Sequence, residues 1–230
     1  MTRICAALFA LTLVVAPAAA QFGYKPSESP YLDLTWKQSL GVFVGGLDAG
    51  RDAAGVGPQP GSLSGVRYDL RIGGPVSLVA RAAAGPTWRR VLDPSKPPAT
   101  RHVGDVNSKL MTLDLGLATN LTGQKSFHRI VPVITAGVGM VSDFNSAPDL
   151  GGYRFGTRFA FNWGLGLRYH TKGRWEPRVD FTDYVWKLEY PNAYGTRPGD
   201  GSPAIVQKGR TTDWTGNYLW SLGLSYQLFR

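Results

Sequence analysis

Cysteine is almost missing from this 230-residue chain: its one thiol, Cys5, sits in an N-terminal apolar stretch. Disulfides and cysteine-based metal sites are therefore excluded for everything downstream. Long apolar runs are missing too, since no later segment approaches the roughly 20 continuous apolar residues of a membrane helix. Histidine is scarce, at three residues, which leaves little material for imidazole chemistry or a histidine metal site. There is no heptad, no tandem repeat and no amphipathic helical stripe. What remains is a chain of short alternating runs punctuated by 29 Gly and 16 Pro, with a formal net charge of +9. That composition reads as one all-β domain.

Residues 1–20 have the pattern of a secretory signal. Arg3 supplies the positive start, Ile4 to Val15 the apolar run, and Ala18-Ala19-Ala20 the small-residue cleavage site before Gln21. Cys5 does not end the apolar run as a lipoprotein cysteine would, so no lipid anchor is expected. Residues 21–33 form a Pro- and Ser-containing lead-in, expected to be loose, and residues 34–230 form the domain.

Period-two alternation predicts eight strands. The first runs from about Leu34 to Val44; the second alternates Val66, Tyr68, Leu70 and Ile72 with Arg67, Asp69 and Arg71. Gly73-Gly74-Pro75 turns into a third strand from Val76 to Gly85, and a fourth covers about Lys109 to Thr119. Ile134 to Met140 mark the fifth. The sixth has the strongest pattern, with Phe159, Phe161, Trp163, Leu165, Leu167 and Tyr169 opposite small or polar residues. In the seventh, strict alternation from Val179 and Phe181 would place Asp183 among the oily residues. A β-bulge near Thr182-Asp183 is therefore expected, turning Asp183 to the polar face and Tyr184, Trp186 and Leu188 to the oily one. The last strand alternates Tyr218, Trp220, Leu222, Leu224, Tyr226 and Leu228 with Ser221, Gly223, Ser225 and Gln227. Four long connections, Gly45 to Ser62, Pro86 to Asp105, Ser142 to Thr157 and about Tyr190 to Asp213, alternate with short ones.

The composition of the two faces separates a membrane barrel from a soluble ligand carrier. The polar face is built of small residues and charges of both signs, which suits the crowded interior of an eight-stranded barrel. The other face carries the large residues, with aromatics towards the strand ends, as a lipid-facing belt requires. The terminal strand, with Ser221, Gly223, Tyr226 and Leu228 in alternation, resembles the C-terminal assembly signal of bacterial outer-membrane β-barrel proteins. Across nearly the whole mature chain the pattern is similar to the small OmpA-like and OmpW-like barrels. The resemblance implies an all-β, eight-stranded antiparallel up-and-down transmembrane barrel with short periplasmic turns and long extracellular loops. It also implies location in the Gram-negative cell outer membrane after cleavage near Ala20, with the barrel assembly machinery, membrane lipid and lipopolysaccharide as partners and a monomeric state.

Arg67, Arg71, Arg81, Arg168 and Arg178 face Asp69, Asp114, Glu176 and Asp180 across the expected interior, and Asp183 joins them through the bulge. Buried charges persist only when paired and hydrogen-bonded, so this set reads as a network filling the lumen. The expected role is structural or surface-interacting; the alternative is a narrow channel or uptake path in which the pairs exchange partners. Arg89, Arg90, Arg101, Arg154 and Arg158 in the external loops are candidate lipopolysaccharide contacts, while nucleic acid is not an expected partner. A lipid-directed hydrolase or acyltransferase has little support: His102 lies near Asp105 and Ser108, but nothing in the sequence orients them. No catalytic residue, metal or cofactor is assigned.

Overall fold

The computed structural model describes residues 29–144 and 147–229. The signal segment 1–20 and most of the lead-in lie outside the described residues. Ten strands follow one another: β1 (Tyr31–Asp33), β2 (Gln38–Asp48), β3 (Gly61–Gly73), β4 (Val76–Leu92), β5 (His102–Asn120), β6 (Lys125–Phe127), β7 (Ile130–Ser142), β8 (Thr157–Tyr169), β9 (Trp175–Glu189) and β10 (Thr212–Phe229). Antiparallel pairing runs β7-β5-β4-β3-β2-β10-β9-β8, and β8 pairs back onto β7, so these eight strands close a ring. Closure leaves no free edge along the barrel wall, as a structure spanning lipid requires. The short strands β1 and β6 stack on the edge of β7 at the turn end.

Alternation puts the oily set outside. Leu115, Leu117, Phe159, Phe161, Leu165, Leu167, Trp220 and Leu222 are all exposed on the outer wall. An outer surface this apolar fits hydrocarbon rather than water. Leu165, 51% exposed, is central in β8. Replacing it with Arg should cost about 2–4 kcal/mol near mid-bilayer. Lower recovery of the heat-modifiable folded band from a refolding titration into lipid vesicles would report that cost, and wild-type recovery would contradict the lipid-facing placement.

Several boundaries depart from the sequence reading. The first barrel strand starts at Gln38, because Leu34 and Trp36 turn inward and plug the turn-end mouth, where they pack with Val79, Ala118, Val131 and Val133. Residues 31–34 are tied down as well: β1 pairs with β6, and the Leu34 N–H donates to the Gln124 carbonyl at 2.9 Å. The second long loop is shorter than expected, since β4 continues to Leu92 and β5 begins at His102. Between β6 and β7, His128 and Arg129 form a two-residue turn with φ of 48° and 69°. Positive φ at both central positions is what a tight hairpin asks for, and non-glycine residues bear a strain of order 1–3 kcal/mol each there.

The bulge expected at Thr182-Asp183 is absent. β9 keeps continuous register with both neighbours there, Asp183 standing opposite Trp163 on β8 and Tyr218 on β10. Asp183 therefore faces outward, and Tyr184, Trp186 and Leu188 face inward, where all three are buried. The carboxylate is tolerated on the outer wall because neighbours cover and satisfy it. The Trp163 indole N–H donates to Oδ2 at 3.1 Å, the Asn217 backbone N–H to Oδ1 at 3.1 Å, and Asp183 is only 8% exposed. A register shift occurs instead between Gln227 and Phe229. It puts Phe229, rather than Leu228, among the exposed apolar residues of the lower rim.

Candidate functional site: the lumen network and the loop crown

The lumen is layered. At its middle, the Arg67 guanidinium grips Asp69 through Nε–Oδ2 at 2.9 Å and Nη2–Oδ1 at 2.8 Å. Arg178 reaches the same carboxylate at 3.3 Å and holds Asp180 through Nε at 2.6 Å and Nη2 at 3.0 Å. Arg81 donates to Asp114 at 2.8 Å, to Thr182 at 2.9 Å and to Asn162 at 3.0 Å, and the Tyr184 hydroxyl donates to the other Asp114 oxygen at 2.8 Å. Lower down, Arg168 lies 3.4 Å from Glu176 and bonds Asn120, and the Gln227 amide donates to Glu176 at 3.1 Å.

The backbone makes room for these side chains. Ladder partners of the charges are often the smallest residues: Gly41 opposite Arg67, Gly139 opposite Asp114, Gly166 opposite Asp180, Gly223 opposite Arg178 and Ser225 opposite Glu176. A Cβ at Gly166 would lie 2.3 Å from Asp180 Oδ1, so the carboxylate occupies the volume that glycine leaves. Register also sets like charges against each other, with Arg67 opposite Arg81 and Arg168 opposite Arg178. Each guanidinium turns away to a carboxylate on its own or a neighbouring strand, which converts cross-strand repulsion into a network of charge-assisted bonds.

Arg71 pairs differently. It donates to the Leu34 carbonyl at 2.7 Å and lies 4.7 Å from the Trp36 ring centroid, while Arg168 lies 4.9 Å from that ring. Trp36, 1% exposed, thus lies against two cations at the turn end of the network. Asp183, expected inside, takes no part, for the reason of register given above.

The loop-end half of the lumen is apolar. Phe43, Leu47, Leu63, Leu110, Tyr184, Trp186, Leu188 and Leu219 from the wall pack with Val56, Tyr153, Phe155, Tyr190, Tyr194 and Val206 from the loops. Tyr153, Tyr190 and Tyr194 stand with ring centroids 6.3 to 6.4 Å apart. Asp52 organises the first loop, accepting backbone N–H groups of Ala54, Gly55, Val56 and Gly57 and the Tyr190 hydroxyl at 2.9 Å. Burial, with the Asp52 carboxylate beside it, holds the Tyr190 phenol well above its ordinary pKa, so it remains a neutral donor. The long loops are consequently a folded crown seated on the barrel.

That packing changes the basic set expected at the surface. Arg89 is buried, donates to Asp149 at 2.5 Å and lies 5.6 Å from the Tyr153 ring centroid; it positions a loop and is not open to an external ligand. Arg101 is also buried, bonding the Lys96 and Pro203 carbonyls at 3.2 and 2.7 Å. Arg158 pairs with Glu189 at 2.6 Å and bonds the Phe155 carbonyl at 2.7 Å. Of the five, Arg90 and Arg154 are exposed. Arg51, Arg197 and Lys208 are further exposed cations of the crown. His102 does meet Asp105, at 2.9 Å, yet both are about half exposed, and Ser108 alternates onto the opposite face of β5. The three do not converge on one point.

No family model matches the chain, and no curated protein matches it in sequence. Solved structures do match in shape. The outer membrane protein OprG from Pseudomonas aeruginosa aligns with a TM-score of 0.52 at 13% identity, over 86% of this chain and 99% of that one. Neisserial surface protein A aligns with a TM-score of 0.50 at 11% identity, over 87% of this chain and 98% of that one. The fold is that of the small eight-stranded outer-membrane barrels.

Proposed function

We propose that this chain is an outer-membrane barrel with a structural and surface-interaction role, sealed along its axis and presenting its loop crown outward. The observation that carries the proposal is the burial of charged and apolar side chains along the barrel interior. Arg67, Asp69, Arg81, Asp114, Arg168 and Arg178 are buried against one another, with an apolar loop plug above and Trp36 below. A conducting path would need these layers to part, against the hydrogen bonds and ion pairs that these charges make with one another. The outward apolar belt, the resemblance of the terminal strand to an outer-membrane assembly signal, and the fold shared with outer-membrane barrels support the location.

The crown supports surface interaction. Its loops are held in place by buried side chains, so Arg51, Arg90, Arg197 and Lys208 are displayed on an ordered framework at the loop end. Such cations complement the phosphates of lipopolysaccharide or the acidic groups of an external partner. Planar-bilayer recording on folded, heat-modifiable protein tests the sealed barrel: no steady single-channel conductance is expected. Reproducible conductance from wild-type protein would overturn it in favour of a solute path.

A further inference from the structure

The turn end carries its own basic rim, separate from the crown. Lys37, Lys125, Arg129, Lys172 and Arg174 lie there, with an exposed carboxylate, Asp33, 3.8 Å from Lys125. Next to this rim is the lower aromatic girdle of Tyr169, Trp175, Tyr226 and Phe229, in which Arg174 lies 5.9 Å from the Tyr226 ring centroid. On one side the rim is built into a pocket of about 410 Å³, lined by Ser29, Pro30, Leu32, His128, Arg129 and Tyr169.

The pocket is assembled from segments distant in sequence. The His128 N–H donates to the Pro30 carbonyl at 2.9 Å, and Tyr31 on β1 packs on Phe127 with ring centroids 5.3 Å apart. Phe127 in turn meets the His128 ring at 4.4 Å. On the other side, the His170 N–H donates to the Arg129 carbonyl at 2.6 Å, which fixes the turn against the end of β8. The backbone of His128 and Arg129 is held at positive φ, where Asn or Gly is better accommodated than Arg, so the turn places the Arg129 guanidinium at a position that backbone preference alone would not give it. Arg129 makes no ion pair among the described residues. Tyr169 and Leu32 give the pocket an apolar side continuous with the lipid-facing belt.

We propose that this pocket binds the headgroup of an anionic phospholipid from the leaflet at the turn end. Its phosphate lies against Arg129 and His128, and its acyl chains run up the belt past Tyr169 and Leu167. An aromatic ring at the headgroup boundary, a guanidinium at phosphate level and an apolar wall are the three contacts such a lipid offers. The inference rests on the membrane placement proposed above but not on the sealed lumen, so a conducting barrel would leave its test unchanged.

Native mass spectrometry of the folded full chain in detergent, with phosphatidylglycerol or phosphatidylcholine added, reads the site directly. Phosphatidylglycerol adducts should exceed phosphatidylcholine adducts by about fivefold, and the double substitution His128→Asn, Arg129→Asn should lower them by about the same factor. Asparagine is at ease at positive φ, so the variant should keep its heat-modifiable band while losing the lipid. Equal adducts for the two lipids, undiminished adducts in the variant, or stronger binding of lipopolysaccharide would each overturn the assignment.

Discussion

Replacing Arg178 with Leu should destabilise the folded barrel by about 3–5 kcal/mol, the usual cost of removing one member of a buried ion pair. Arg178 is the joint of the central layer, bonded to Asp69 and Asp180 at once. Its loss leaves Asp69 with Arg67, but strips Asp180, which is buried at 7% exposure, of its closest hydrogen-bond donor. The penalty is therefore the desolvated Asp180 carboxylate more than the missing attraction. The double substitution Arg178→Leu, Asp180→Leu should recover a large part of it, because no orphaned charge then remains. Denaturant unfolding of the refolded protein, followed by tryptophan fluorescence and gel mobility, would measure both. A single-mutant cost below about 1 kcal/mol would mean that solvent reaches these groups, and the sealed-lumen reading would fail.

The second large effect is expected at Trp186. Trp186→Ala should cost about 3–5 kcal/mol, the range for emptying a buried aromatic site. The indole is 1% exposed and meets Phe155 edge-on at 6.1 Å between ring centroids, so it ties β9 to the third long loop. Limited proteolysis should therefore cut within residues 143–156 faster in the variant than in the wild type. The contrary outcome is informative. Were Trp186 on the lipid face, truncation would remove only a contact with hydrocarbon, and the loop would keep its wild-type resistance.

The outer wall was readable in the sequence because lipid tolerates so few residues there. Phe159 to Tyr169 alternate without exception, and β8 presents them as the sequence pattern implies. The interior was readable in kind: Arg67, Asp69, Arg81, Asp114, Arg168, Glu176, Arg178 and Asp180 share the inner face. Which charge meets which was not readable, since Arg178 on β9 reaches Asp69 on β3 across the lumen, a contact set by how the ring closes. The error in β9 has a definite cause. The rule that a carboxylate avoids lipid was applied to Asp183 alone, whereas the indole of Trp163, one strand away, lifts that objection.

What the sequence by itself determined is the period-two pattern, and with it the eight strands of the barrel wall, the inside-out assignment of faces outside the upper half of β9 and the small residues that give buried charges their room. Those features depend on each residue and its near neighbours, because side-chain direction in a strand follows from position alone. What only the tertiary structure decided is the path of everything that crosses the barrel: Trp36 drawn beneath Arg71 and Arg168, Arg89 turned in to Asp149, and the three tyrosines gathered under the crown. These contacts join residues far apart in the chain. They exist only once register and closure have brought the strand ends together, and no local pattern encodes that geometry.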